Sequence, residues 1–139
     1  MMVYITRREC FSSAHRLFNP AFCDEKNLEI YGKCSNSGWH GHNYVLYVTV
    51  KGNVNAETGM VMNMKNLGDI IKIKVINKLD HHNLNSEVDF LQGKIISSEN
   101  IAMAIWNEID ADIKANGAQL HGIRLVETEN NYVEYYGED

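Results

Sequence analysis

Three histidines carry the clearest chemical signal in this sequence. His40 and His42 flank Gly41 at the start of an apolar, β-branched segment, and side chains two residues apart on a strand point to the same face. Both imidazoles can therefore converge on one ion, and His15 in the segment FSSAHRL offers a third ligand. Three histidines with one open position are typical of a catalytic zinc, whereas structural zinc is usually closed by four ligands rich in cysteine. From these residues alone, ordinary surface or core histidines fit equally well.

A single cysteine precedes the histidine pair. Cys34 lies six residues before His40, in a polar segment between Gly32 and Gly38. A thiol beside a dication or a basic imidazole loses its proton more readily than a free thiol, whose pKa is about 8.5. Cys34 is therefore a candidate base toward carbon-bound hydrogen, or a nucleophile, and a small buried hydrophobe is the alternative interpretation.

Two carboxylates are candidates for a functional site. Asp80 precedes His81 and His82, and an aspartate beside a histidine can orient the imidazole and stabilise its protonated form. A turn residue followed by two solvated histidines is the alternative. Glu127 closes an apolar strand, where a carboxylate needs a partner. It could accept two parallel N–H bonds from a guanine-like or pterin ring, although a strand-end glutamate facing water fits this segment as well.

Strands that would position these groups are predicted near both ends of the chain. Alternating, β-branched and aromatic residues mark four of them, at 2–9, 42–51, about 120–127 and about 132–136. Gly52-Asn53 closes the second strand, and Glu129-Asn130-Asn131 forms a turn between the last two. The segment 18–37 is polar and is interpreted mostly as a long loop, which in a compact domain is often functional.

Two helices are predicted between the strand pairs. Asn63 is a plausible N-cap for a helix that runs to about Lys78, and Ser97 or Ser98 caps a second helix that ends at Gly117. The order of strands, helix, helix and strands predicts an α+β fold, with an antiparallel sheet and helices packed on one face. At 139 residues the chain fits a single domain over 1–139.

Composition narrows the classes of function. The formal net charge of -5 argues against broad nucleic-acid binding, which needs a basic face. The N-terminal segment lacks an apolar stretch of signal-peptide length, and no apolar run approaches a membrane span. A reducing, cytoplasmic setting without a membrane partner is therefore expected, in which Cys10 and Cys23 are core-filling residues.

Taken together, the motifs resemble those of the 6-pyruvoyl-tetrahydropterin synthase family along nearly the whole chain. The segments that carry the resemblance are FSSAHRL, YGKCSNSGWHGHNY, TGMVMNM, LDHHNL, SSEN and VETENN, in the family's order. The resemblance implies zinc on His15, His40 and His42. It implies that Cys34 is the catalytic base, with Asp80 and His81 as its relay partners.

The same resemblance implies a substrate site and a reaction. Glu127 would anchor the pterin, and Ser97, Ser98 and Glu99 would help to line its pocket. The implied reaction is that of a lyase in tetrahydrobiopterin biosynthesis, which converts 7,8-dihydroneopterin triphosphate to 6-pyruvoyl-tetrahydropterin and eliminates triphosphate. The candidates for holding the triphosphate are Arg7, Arg8, Arg16 and Lys33.

A T-fold is also implied, with a four-stranded antiparallel sheet and two helices on one face. Subunits of this kind form trimers whose sheets close a barrel, and two trimers form a homohexamer with active sites at subunit interfaces. Such assembly would cover exposed strand edges, which otherwise invite aggregation.

Two other functions remain as alternatives. The related 6-carboxytetrahydropterin synthases of queuosine biosynthesis usually have three residues between the cysteine and H-G-H, whereas five separate Cys34 from His40 here. This spacing favours the pyruvoyl branch. The second alternative is a zinc-stabilised binding module without catalysis. The open coordination position and the unpaired Cys34 argue against it, because a structural site would recruit that thiol.

Overall fold

The framework of the protein is a four-stranded antiparallel sheet in the order β1-β2-β3-β4. A computed structural model describes residues 1–138, so Asp139, the last residue of the predicted domain, lies outside the described residues. The strands are β1 (Met2–His15), β2 (His40–Asn53), β3 (Gln119–Thr128) and β4 (Asn131–Tyr135). The prediction of an antiparallel sheet with helices is confirmed.

The first strand is longer than predicted. It was expected to end at residue 9, but β1 pairs with β2 along its whole length, up to the pair His15↔His40. The polar residues of its second half hide the strand pattern, yet they are bonded in place. Ser12 Oγ donates to Asn43 Oδ1 at 2.6 Å, and the buried Ser13 Oγ donates to a carbonyl oxygen at 2.5 Å. The predicted ligand His15 therefore lies within a strand and not in the segment after it.

Both predicted helices are present. The first comprises α2 (Met64–Ile71), a π-helical turn (Lys72–Ile76) and a last short turn, α3 (Asn77–Leu79). Asn63 caps it, because its Oδ1 accepts from the Lys65 amide at 2.8 Å. The second helix, α4 (Ser98–Ala115), is capped by Ser97, whose Oγ accepts from the Asn100 amide at 3.2 Å.

The hydrophobic core lies between the helices and one face of the sheet. On β2 the side chains that face the core alternate with outward ones, namely Tyr44, Leu46, Val48 and Val50. The helix α4 adds a buried stripe one turn apart, namely Ile101, Ile105, Ile109 and Ile113. Burial of these faces positions the end of β2 that carries the histidines.

The segment 18–37 is not mostly loop, as was predicted. It contains α1 (Asp24–Tyr31), followed by a 3₁₀ turn (Gly32–Ser35). Its charged sequence has no apolar stripe, so the helix is not visible as a periodic pattern. Its stability comes from Asn27, a buried residue whose Oδ1 accepts from the Asn19 amide at 2.9 Å and whose Nδ2 donates back to the Asn19 carbonyl at 3.0 Å.

The prediction that two cysteines fill the core is wrong. Cys10 and Cys23 are both exposed. Cys10 alternates with the buried Phe11 on β1 and so points away from the helices. Cys23 lies at the solvent-facing start of α1. None of the helices in residues 1–138 has both the length and the apolar character needed to cross a membrane.

Candidate functional site

Three imidazoles meet at one end of the sheet, on the face that carries the helices. His15 and His40 are cross-strand partners, and His42 follows two residues along β2 on the same face. The candidate ligand atoms of these three residues all lie within 4.8 Å of one another. The convergence that the H-x-H spacing predicts is therefore present, with His15 supplied by the end of β1.

The hydrogen bonds of the cluster leave one nitrogen of each ring free. His15 Nδ1 lies 2.9 Å from the Ile96 carbonyl oxygen, so this nitrogen donates and Nε2 keeps a lone pair. The Nε2 atoms of His15, His40 and His42 are buried, and none has a hydrogen-bond partner within the described part of the chain. Because buried polar atoms are rarely left unpaired, these atoms fit a bound cation.

The protonation of the cluster also suits a metal. Burial lowers the pKa of His15, and the neighbouring imidazoles lower it further. Burial likewise lowers the pKa of His40, with His42 adding to the effect. A metal ligand must be neutral imidazole, so a depressed pKa favours the ligating form. The three histidines could therefore hold a metal ion.

A carboxylate and a hydroxyl adjoin the histidines. Glu127 is the unpaired residue of a β-bulge, since Val126 and Thr128 on either side of it both pair with β4. Its Oε1 lies 3.2 Å from His42 Nε2, in an orientation that forms no hydrogen bond, and its Oε2 accepts from the buried Ser98 hydroxyl. The structure thus brings the predicted pterin anchor and one predicted pocket residue together beside the histidines.

The other two predicted pocket residues have different surroundings. Ser97 uses its hydroxyl to cap α4. Glu99 is exposed in the first turn of the same helix. A carboxylate at a helix N-terminus is stabilised by the positive end of the helix dipole, so its position alone requires no ligand.

The turn that carries the predicted base is hydrogen-bonded to the residues that directly follow His15. Cys34 lies in the 3₁₀ turn, is partly buried, and forms no disulfide. Its carbonyl oxygen accepts from the Leu17 amide at 2.8 Å, and the carbonyl of the next residue, Ser35, accepts from Arg16 Nε at 2.7 Å. The two segments separated by α1 are therefore joined directly after His15.

The two residues of the predicted relay pair, Asp80 and His81, lie within hydrogen-bonding distance of each other. Asp80 Oδ2 lies 3.0 Å from His81 Nδ1, and Asp80 Oδ1 accepts from the Ser12 amide at 2.9 Å. The Ser12 hydrogen bond, followed by that of His81, lowers the pKa of Asp80. His81 has a positive φ of 61° and a side chain that is 82% exposed. The extra imidazole, His82, places Nδ1 2.8 Å from the Asp80 carbonyl oxygen.

This pair and the predicted base are not brought together in one chain. His81 lies beside the edge of β1, in a surface depression whose lining includes the outward-facing Ser12 and Asn43 and also His42. Within residues 1–138 no hydrogen bond or ion pair joins Cys34 to Asp80 or His81.

The candidate phosphate-binding residues differ in their freedom to bind an anion. Arg7 is paired with Glu9 at 2.7 Å, and Arg16 donates to a backbone carbonyl of the turn that carries the predicted base. Arg8 and Lys33 are exposed. Lys33 adjoins Cys34 in sequence, whereas Arg8 lies on the sheet face opposite to the histidines.

One polar residue of the site was missed from the sequence. Tyr44 is fully buried, and its hydroxyl has no hydrogen-bond partner among the described residues. Its ring centroid lies 5.5 Å from that of His42 and 6.2 Å from that of His15. The available signal was a hydroxyl-bearing residue at the first core position after the histidines, in an otherwise aliphatic series.

Comparison with known proteins identifies the family. Residues 4–138 match the family described as 6-pyruvoyl tetrahydropterin synthase. A 6-pyruvoyl tetrahydrobiopterin synthase from Dictyostelium discoideum is 47% identical, over 98% of this chain and 97% of its own length. The solved 6-pyruvoyl tetrahydropterin synthase of Caenorhabditis elegans superposes with a TM-score of 0.92 at 33% identity, covering 99% of this chain and 97% of that one.

The related branch matches less well. A 6-carboxy-5,6,7,8-tetrahydropterin synthase from Rickettsia typhi is 28% identical, over 96% of this chain and 99% of its own length. The family that the motifs predict is confirmed. This chain belongs to the 6-pyruvoyl tetrahydropterin synthase family.

Proposed function

We propose that this chain converts 7,8-dihydroneopterin triphosphate to 6-pyruvoyl-tetrahydropterin and releases triphosphate, as a lyase of tetrahydrobiopterin synthesis. The observation that carries the proposal is the cluster of three buried, unpartnered imidazole nitrogens beside the Glu127–Ser98 pair. A cation site and a carboxylate anchor adjoin each other, which suits a substrate with a nitrogen-rich ring and a hydroxylated side chain.

Zinc is the metal that suits this donor set best, and His15, His40 and His42 would hold it. When bound, zinc acts as a Lewis acid that makes the O–H and C–H bonds of the substrate side chain more acidic. Binding, orientation and proton movement are the tasks of the protein's own residues.

Glu127 recognises the pterin ring in this proposal. Its carboxylate can accept from the ring amino group and the adjacent ring N–H, two donors that lie side by side. The Ser98 hydroxyl that donates to Oε2 holds the carboxylate in orientation. Glu127 follows the core-facing Leu125 by two residues on β3, so its side chain lies on the face of the histidines, and the ring edge and the side chain of one substrate can be held together.

Cys34 is the base. As a thiolate it removes a proton from the substrate side chain, and the proton is returned to the pterin ring, which becomes reduced as the side-chain hydroxyls become ketones. Triphosphate leaves with its electron pair. The oxidation and the reduction occur in the same molecule, so no external reductant is needed.

The Asp80–His81 pair completes the site of a neighbouring copy. What supports this is its position along the free edge of β1, with no hydrogen bond or ion pair to Cys34 of its own chain among the described residues. We propose a homohexamer of two trimers whose sheets close a barrel, which would also cover the exposed edge residues at the start of β1. Light scattering should then give a hexamer and not a 15.9 kDa monomer.

Mixed oligomers test the shared site directly. Cys34→Ala and His81→Ala subunits are each impaired, but unfolding and reassembling them together creates some interfaces with both groups intact. Random mixing should restore activity at about a quarter of the sites. Mixed oligomers without recovery would place both groups in one subunit, and a fully active His81→Ala would show that His81 has no role.

We also propose that the protein is located in the cytoplasm. The cysteines of the described chain are all free, and two of them are exposed. Exposed thiols persist in reducing compartments, whereas secreted proteins of this size tend to pair theirs.

Product analysis tests the proposed reaction. The zinc-loaded protein is incubated with 7,8-dihydroneopterin triphosphate, and the pterin product is identified by mass spectrometry, with His42→Ala as the metal-free control. A 6-pyruvoyl product supports the proposal. A 6-carboxy product would assign the chain to the other branch, and an unchanged substrate would leave a binding module.

A further inference from the structure

Four buried side-chain nitrogen or oxygen atoms have no hydrogen-bond partner within residues 1–138, and they lie in one place. Three are the Nε2 atoms of His15, His40 and His42, and the fourth is the hydroxyl of Tyr44. A metal ion explains the three nitrogens. It leaves the hydroxyl unexplained, because a buried O–H group without a partner weakens a fold.

The ring of Tyr44 is held firmly in position. It stacks on Phe11, its cross-strand partner, with a centroid distance of 4.8 Å and an interplanar angle of 14°. On the other side, continuing the register one step beyond Val45↔Val126 places Tyr44 beside Glu127. Because the ring is fully buried and stacked on Phe11, the position of its hydroxyl is fixed within the site.

The Tyr44 hydroxyl is buried and is a potential hydrogen-bond donor. Burial raises the pKa of Tyr44, and the charges of Glu127 and Cys34 raise it further. An ordinary tyrosine already keeps its proton at neutral pH, so the hydroxyl offers a donor and needs an acceptor.

We propose that the Tyr44 hydroxyl donates a hydrogen bond to an oxygen atom on the side chain of the pterin substrate. The inference rests on the proposed function. With the ring N–H groups on Glu127 and the proton removed by Cys34, the part of the substrate between them is its hydroxylated side chain. Its oxygens are acceptors both as hydroxyls and as ketones, so one donor serves substrate and product.

The change Tyr44→Phe tests this role because it removes only the hydroxyl and keeps the ring on Phe11. Calorimetry on the zinc-loaded protein compares 7,8-dihydroneopterin, which has side-chain hydroxyls, with 6-methyl-7,8-dihydropterin, which has none. We expect the variant to bind the first ligand about 3- to 10-fold more weakly, the loss of one neutral hydrogen bond. Its affinity for the second ligand should be unchanged.

Two further measurements separate this role from a structural one. Zinc content should stay the same, and the melting temperature should not fall, because the hydroxyl has no partner in the free protein. The matched control is Tyr47→Phe, on the same strand but on the opposite face, which should alter neither ligand's affinity.

Three results would overturn the inference: equal binding of 7,8-dihydroneopterin by parent and variant, loss of zinc, or a lower melting temperature. Equal binding would mean that only a fixed water meets the hydroxyl. The parent protein and Glu127→Gln distinguish this failure from that of the proposed function. If the parent binds both ligands and Glu127→Gln weakens both, the pterin site stands whatever Tyr44 does. If the parent binds neither, the proposed function fails and the role of Tyr44 with it.

Discussion

On the sheet face turned away from the helices, polar side chains pair with one another, whereas on the helix-covered face they meet at one end without partners. Outward-facing Thr6 and Thr49 share a hydrogen bond of 2.7 Å, and the Tyr136 hydroxyl donates to Glu134 at 2.6 Å. The inner cluster instead leaves three imidazole nitrogens and the Tyr44 hydroxyl unpaired. Self-satisfied polar groups stabilise a surface, and unsatisfied ones in a buried cluster indicate where a ligand binds.

Removing one inner histidine should have the largest effect. His42→Ala leaves two of three ligands, so zinc should fall from about one per chain to a small fraction, and turnover with it. The control is His121→Ala on the outward-facing depression, which should keep its zinc. Metal analysis after dialysis decides. Full zinc occupancy in His42→Ala, and equally in His15→Ala and His40→Ala, would remove the metal assignment from this face.

Removing the thiol should separate chemistry from binding. Cys34→Ala should keep zinc and pterin affinity and lose turnover by about 10²–10⁴-fold, the usual effect of removing a general base. The exposed Cys10 and Cys23 supply matched alanine controls, which should turn over normally. Zinc loss in Cys34→Ala would make the thiol a ligand. A rate above about a tenth of the parent's would assign the proton to another group.

Substituting one glutamate on each face, Glu127 on the inner and Glu134 on the outer, tests whether only the inner face binds the pterin. Glu127→Gln replaces an acceptor with a donor that faces ring donors, so pterin binding should weaken by about 1–3 kcal/mol with zinc unchanged. The outward counterpart is Glu134, whose carboxylate bonds to Tyr136 and Arg124. Glu134→Gln should therefore leave pterin affinity intact. Calorimetry with a pterin ligand measures both. An unaltered affinity in Glu127→Gln would move the ring anchor elsewhere.

The smallest effect is expected for Asp80, whose charge should make the free energy of unfolding depend on pH. Because the Ser12 amide and His81 lower the pKa of this carboxyl in the folded protein, its charged form stabilises the fold above the unfolded pKa of about 3.9. That contribution is lost as the pH falls through the lower folded pKa. Denaturant unfolding should show Asp80→Asn less stable than the parent at pH 5, with the gap closing toward pH 3. A gap independent of pH would contradict this.

Local patterns in the sequence predict the parts of the site that lie on strands. Alternation along β2 correctly places His40 and His42 on one face, and the caps Asn63 and Ser97 mark both helix starts. Cys10 was predicted to be buried because the first strand was ended at residue 9. The strand continues to His15, and Cys10 occupies one of its outward positions. Periodicity needs an apolar stripe, and α1 has none, so its helix was not visible.

Relations between distant segments could not be predicted from spacing. Alternation from Leu125 places Glu127 on the inner face, but its approach to His42 depends on the register of β3 against β2, which the spacing of residues does not give. That Asp80 and His81 lie away from Cys34 depends on how residues 80–84 follow the free edge of β1. The order of the motifs along the chain identifies Cys34 and the Asp80–His81 pair, but it does not show where each lies relative to the sheet.

The backbone hydrogen bond between Leu17 and Cys34 also bears on how proteins of this kind can change in length. It closes the chain on either side of α1 without using a side chain, so the segment between is an excursion whose two ends are already joined. Doubling the length of a flexible closed loop costs only about 0.6 kcal/mol. Insertions at the exposed residues 20 and 21, which leave α1 and Asn27 in place, should therefore keep Cys34 joined to Leu17, and this stretch is the natural place for relatives to differ in length.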